Sequence, residues 1–162
     1  MTLRKLLTKR RRIFLLFLFA WVTFLGWRFS QPCIMLVIDD LQTDERLLKR
    51  HVNIGDELYF GWIHSLENIP WHEYYHLTHD QTFMLHTISF PSFGAGMPEG
   101  RDADVRIEEG FIVMSNINDE FNEIIWLNSH HFVQHIAINN EVMTTGQALP
   151  ERQLRMRIER RK

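Results

Sequence analysis

Leu58-Tyr59-Phe60-Gly61-Trp62-Ile63-His64-Ser65 is the stretch whose reading decides the fold class. Leu58, Phe60, Trp62 and His64 fall on one face of an extended chain. Glu57, Tyr59, Ile63 and Ser65 fall on the other, which is the period of two expected of a half-buried strand. After a break at Asn68-Ile69-Pro70 the alternation resumes, with Trp71, Glu73, Tyr75 and Leu77 opposed to His72, Tyr74, His76 and Thr78. His79-Asp80-Gln81 turns the chain, and Thr82 to Phe90 alternates again with β-branched and aromatic content. Residues 71–90 therefore predict a hairpin.

Upstream, Ile34 to Ile38 is a short apolar run closed by Asp39-Asp40, consistent with a first strand, while Asp44 to Arg50 fits a strand or a helical turn. Downstream, Val105 to Ile107 and Phe111 to Met114 flank Glu109-Gly110 as a second hairpin, and Ile124 to Leu127 is a weaker strand. His135 to Ile138 and Val142 to Thr145 flank Asn139-Asn140, a pair that tolerates the left-handed turn of a third hairpin. Short strands punctuated by turn signals predict an all-β fold, a β-sandwich or partly closed antiparallel barrel. Pro150 to Lys162 reads either as one basic helix, with Leu154 and Ile158 at i, i+4, or as a disordered tail.

Charge divides the chain of 162 residues into zones. Residues 1–12 carry six Lys and Arg and no acid; residues 33–150 carry eighteen Asp and Glu against five Lys and Arg; residues 151–162 carry six basic side chains against two Glu. An acidic body between basic ends argues against nucleic acid as a partner and suits anionic lipid at the ends. The single cysteine, Cys33, excludes an intrachain disulfide. Ile13 to Trp27 is uncharged and almost wholly apolar behind the basic residues, which orients residues 1–12 to the cytoplasm and the body to the outside. The run is shorter than the about 17–25 residues of a spanning helix, so a cleaved signal segment is the rival reading. No Ala-x-Ala-like cleavage site follows it, and Trp21, Trp27 and Arg28 suit a membrane interface. The expected organisation is a basic cytoplasmic segment at 1–12, a membrane anchor or signal segment at 13–29, an all-β extracytoplasmic domain at 33–149 and a basic C-terminal tail at 150–162. The membrane partner is lipid, contacted through the N-terminal helix.

Gly61 to Glu73 concentrates His64, Ser65, Glu67, His72 and Glu73 between Trp62 and Trp71, groups able to hydrogen-bond a ligand, move a proton or bind a metal. His72-Glu73-Tyr74-Tyr75-His76 spells the His-Glu-x-x-His pattern of zinc peptidases, which requires a helix to bring both imidazoles to one ion. On a strand Glu73 points away from both histidines, which stand about 13 Å apart, too far to share a metal held at about 2 Å. No metal ligands and no cofactor are assigned. His64 with Glu67 or Glu73 is the better polar cluster, although His64 equally fits a buried histidine with a satisfied hydrogen bond. A triad of Ser65, His64 and Glu73 meets the objection that neighbours on a strand face opposite ways. His130, His131 and His135 read as surface turn residues. Trp62, Trp71, Phe90 and Phe93 read as core aromatics or the lining of a cleft. Gly94-Ala95-Gly96 reads as a shaped loop without the helix or lysine of a phosphate cradle.

The pattern Trp62-Ile63-His64-Ser65-x-Glu67-x-x-Pro70-Trp71-x-Glu73, followed by Ser92-Phe93-Gly94-Ala95-Gly96-Met97-Pro98 and a glycine before the apolar strand at Gly110 to Val113, resembles domain-of-unknown-function family 1850. These are small bacterial envelope proteins associated with tripartite ATP-independent periplasmic (TRAP) transporters of the TAXI type. The resemblance covers about residues 34 to 150. It places His64, Ser65, Glu67, Pro70, Glu73, Gly94 and Gly96 in the family pattern and leaves out His72 and His76. It implies a periplasmic location at the inner membrane, TRAP transporter membrane or binding subunits as partners, and no established catalysis. The leading expectation is a membrane-anchored accessory or binding domain, with His64, Ser65, Glu67, Glu73, Gly94 and Gly96 forming a ligand-binding site. A metal-dependent or Ser/His hydrolase and a structural envelope protein are the alternatives.

Overall fold

The structure, a computed structural model, describes residues 34–92 and 103–160 together with Leu18, Phe19, Trp21 and Thr23. The chain divides into a unit at 1–32 and a unit at 33–162. In the first, the four described residues are helical, and Thr23 Oγ1 donates to the Phe19 carbonyl at 2.9 Å. Among the described residues no helix is long and apolar enough to cross a membrane. The rest of the expected anchor lies outside the described residues.

The second unit is all-β, with eleven antiparallel strands among the described residues. One sheet has the order β2 (Arg46–Val52), β1 (Ile34–Asp40), β11 (Gln153–Arg160), β8 (Glu123–Leu127). The other has the order β10 (Glu141–Thr145), β9 (Val133–Ile138), β3 (Glu57–His64), β4 (Ile69–Leu77), β5 (Phe83–Phe90), β7 (Phe111–Phe121), β6 (Asp104–Glu108). Ile34, Leu36 and Ile38 of β1 and Leu154, Met156 and Ile158 of β11 join Leu58, Phe60, Trp71, Tyr75 and Leu77 of β3 and β4 in one buried cluster. Each large side chain so buried contributes about 1.5–3 kcal/mol, which is what holds each strand's apolar face inward.

Both tight turns anticipated from composition form as left-handed pairs. Asn139 and Asn140 have φ of 49° and 65°, and Glu109 and Gly110 have 49° and 85°. Mirror-image turns of this kind match the twist of the strands they join.

Three expectations need correction. Residues 153–160 form β11, paired with β1 and β8, and not a helix. Leu154 and Ile158 fit either period, but Met156 between them is also fully buried, and only a period of two buries all three. The outward Arg155 and Arg157 reach the buried Asp39 of β1, which also binds Arg46 Nε at 3.0 Å, so much of the basic tail is neutralised within the sheet. Next, the break between β3 and β4 is the turn at residues 65–68, where Asn68 takes φ 55°; Pro70 already belongs to β4, opposite Ile63. Last, β5 does not alternate throughout. Its register against β4 shifts where the adjacent Tyr74 and Tyr75 face Thr87 and Leu85, and Phe83, Leu85, Ile88 and Phe90 are the inward set. The extra residue of such a bulge re-aims side chains, and here that residue is His86.

Candidate functional site

Strand period places Glu73 between two core residues, Trp71 and Tyr75, on the inward face of β4. A carboxyl there loses solvation, and burial raises its pKa above the usual carboxylate range. Tyr75 offsets part of that cost by donating to Glu73 Oε2 at 2.7 Å, and the Trp62 and Trp71 indoles also favour the charged form. Trp71 Nε1 stays short of a full hydrogen bond, a buried donor without a partner. Burial beside this carboxylate drives the Tyr75 hydroxyl pKa far up, so the hydroxyl remains a donor.

Glu73 opens onto a cleft of about 500 Å³ whose walls include Phe60, Trp62, Ile124, Trp126 and Val133. The Trp126 ring meets Phe60 edge-on at 5.3 Å. Ser65 and Ser129 supply polar lining, and Glu73 is the one ionisable side chain among the described lining residues. Behind it Trp71 stacks on Phe90 at 4.6 Å and 12° and lies 5.5 Å from Trp62. The cleft's geometry fits an apolar molecule with one polar group to meet Glu73.

The sequence-derived site residues distribute as follows. His64 ends β3 with its ring 5.6 Å from Trp62 and 5.8 Å from Trp71, and its Nδ1 accepts the Glu67 backbone N–H at 3.3 Å. Glu67 is exposed in the turn at residues 65–68. Ser65 is exposed, lines the cleft, and its hydroxyl makes no hydrogen bond among the described residues. Gly94 and Gly96 lie outside the described residues. The structure thus brings Ser65 and Glu73 to one cleft, sets His64 against the aromatic cluster, and builds no Ser–His hydrogen bond of the kind a hydrolytic triad needs.

The opposite face of the same sheet carries a second assembly that strand pairing creates. Tyr59 lies across Gly61, where any Cβ would collide with the phenol, and its hydroxyl meets His72 Nδ1 at 2.6 Å. Burial pushes the Tyr59 pKa up to about 12 and the His72 pKa down, so the phenol is the donor and the neutral imidazole the acceptor. His135 from β9 lies 4.8 Å from the Tyr59 ring, although its sequence context reads as a surface turn. Four positions beyond His72 along β4, His76 stacks on His86 at 4.1 Å and 14°. Alternation in the sequence gives His86 no distinguishing signal, because a bulge cannot be read from it. His72 and His76 do lie on one outward strand face, and each has its own partners.

A family model described as Domain of unknown function (DUF1850) matches residues 58–144, more than half of the chain. That span holds the cleft carboxylate, the aromatic cluster and nearly the whole seven-stranded sheet. No curated protein and no solved structure matches the chain.

Proposed function

The chain belongs to the family described as Domain of unknown function (DUF1850), and from that premise we propose that it is a non-enzymatic accessory binding domain of a TRAP-type solute transporter. In this reading residues 13–29 anchor it in the inner membrane as a single pass, and the two sheets act as a periplasmic β-sandwich. The Glu73 cleft holds a small organic solute or hands it to the transporter subunits. The observation that carries the reading is one carboxyl, raised in pKa by burial, in the wall of an otherwise apolar, aromatic cleft. Cleft volumes of roughly 300–1,000 Å³ with few polar groups are typical of small-molecule sites. The donors already facing Glu73 leave it suited to a ligand that donates a hydrogen bond, an amine or hydroxyl on an apolar body.

Calorimetric titration of the full-length protein in detergent with octylamine, octanol and octanoate tests the ligand class. Octylamine and octanol are expected to bind and octanoate to bind more weakly, with Glu73→Gln selectively losing octylamine. Equal binding of all three by both proteins would show partition into detergent or apolar surface and remove the role given to Glu73.

A further inference from the structure

We propose that Glu57, His76 and His86 form a binding site for a borderline divalent transition-metal ion such as Zn²⁺, on the face of the seven-stranded sheet that lies away from the Glu73 cleft. Three neighbouring strands supply the ligands. Glu57 of β3 is the direct cross-strand partner of His76 of β4. Opposed residues in an antiparallel pair have their Cβ atoms about 4.5–5.5 Å apart, so both side chains rise over the same patch. β5 supplies the third ligand through its bulge, which sets His86 beside His76 with the two rings stacked at 4.1 Å.

One ligand atom from each residue lies within 4.8 Å of the other two. Tetrahedral zinc with nitrogen ligands at about 2.0–2.1 Å needs ligand atoms about 3.3 Å apart, a closure within reach of side-chain rotation, since His76 is exposed and Glu57 half-buried. One ring is already oriented. His86 Nδ1 lies 2.9 Å from Thr87 Oγ1, and with that nitrogen donating, Nε2 carries the free lone pair. Nε2 is buried without a hydrogen-bond partner, 3.6 Å from Glu57 Oε2. An imidazole fixed through one nitrogen while the other stands unsatisfied beside a carboxylate is the arrangement that metal-ligating histidines adopt.

The residue set is one carboxylate and two imidazoles, a donor set suited to Zn²⁺ and its first-row neighbours and poorly suited to Mg²⁺. Three protein ligands leave a coordination position open. Glu57 and His86 also line a groove of about 750 Å³ with Tyr74, Arg106, Glu108 and Phe111. The open position therefore gives onto this groove, where water can complete the shell. The His-Glu-x-x-His motif is not this site. It contributes His76 alone, while His72 is engaged by Tyr59.

The test is Co²⁺ and Zn²⁺ titration of the full-length protein in detergent, with Mg²⁺ as the control. The expected result is one Co²⁺ per chain with the visible absorption of a tetrahedral site, displaced by Zn²⁺ and not by Mg²⁺. His76→Ala and His86→Ala are expected to abolish stoichiometric binding, Thr87→Ala to weaken it about tenfold through loss of ring orientation, and His72→Ala to leave it intact. His76 is exposed, so its variant is expected to fold, which circular dichroism checks. Stoichiometric binding that survives His76→Ala, or its absence in the native protein, would overturn the assignment.

Discussion

Tyr75 Oη donates a 2.7 Å hydrogen bond to Glu73 Oε2 from two positions along the same strand, so the core-facing side of β4 carries both the half-buried carboxyl and its principal donor. A phenol and a carboxyl on the inward face of a sheet are costly unless paired with each other or with something that enters the cleft. The pairing is incomplete, since burial still raises the Glu73 pKa.

The incompleteness has a sign. A carboxyl whose folded-state pKa is raised binds its proton more tightly in the native state than in the unfolded chain, so it favours the fold below its ordinary pKa. That advantage is lost as pH rises through the folded pKa. Glu73→Gln is therefore expected to be more stable than the native protein at neutral pH, the gap closing as pH falls through the ordinary carboxyl range. Urea unfolding at a series of pH values checks this; a gap that widens in acid would mean the folded-state pKa is depressed.

Tyr75→Phe removes the donor without opening a cavity. The variant is expected to lose about 1–2 kcal/mol at a pH above the raised Glu73 pKa, where an ionised acceptor forfeits its hydrogen bond. Less is lost in acid, where Glu73 is protonated. Guanidinium unfolding at both conditions reads the difference, and a loss independent of pH would detach the phenol from the carboxyl.

Asp39 is 1% exposed and receives Arg46 at 3.0 Å and Arg157 at 2.8 Å from the strands on either side of β1. Asp39→Ala would leave Arg46 and Arg157 to share the partly exposed Glu159 alone, at 2.8 Å from each. Removing one partner of a buried pair typically costs about 3–5 kcal/mol, and the partial exposure of the arginines places this site at the lower end. Thermal unfolding is the readout. The same experiment on Glu141→Ala, an exposed partner of Arg50, is expected to move stability by less than about 1 kcal/mol.

Gly146 begins a 3₁₀ turn (Gly146–Ala148) and packs so tightly that a Cβ would strike the Val133 carbonyl and approach the Ser129 carbonyl at 3.0 Å. Both obstacles are backbone and cannot rotate away. Gly146→Ala is expected to destabilise by about 1–3 kcal/mol, measured by thermal melt; Gly55→Ala meets no atom and strains only its φ of 85°.

Most of the strands were legible because their apolar period is uninterrupted, as in Leu58-x-Phe60-x-Trp62. The difficulty began where two periods coincide. Leu154 and Ile158 satisfy a helix as well as a strand, and only the burial of Met156 between them decides. Glu73 stood out in the sequence, but its inward direction has meaning only once β8 is in place to wall the cleft, and that strand arrives from fifty residues downstream. The Glu57, His76 and His86 cluster was out of reach of local reading for two reasons. Cross-strand register makes the first pair, and a bulge, which carries no local sequence signal here, adds the third. Gly94 and Gly96 lie outside the described residues, so their part in the cleft rests on sequence.

The most direct test of the accessory role is purification of the full-length tagged protein from gently solubilised native membranes, with mass spectrometry of what accompanies it. The account predicts enrichment of a TRAP transporter membrane subunit or its periplasmic binding protein. Recovery of the intact protein from the membrane fraction with no transporter subunit beside it would contradict the account.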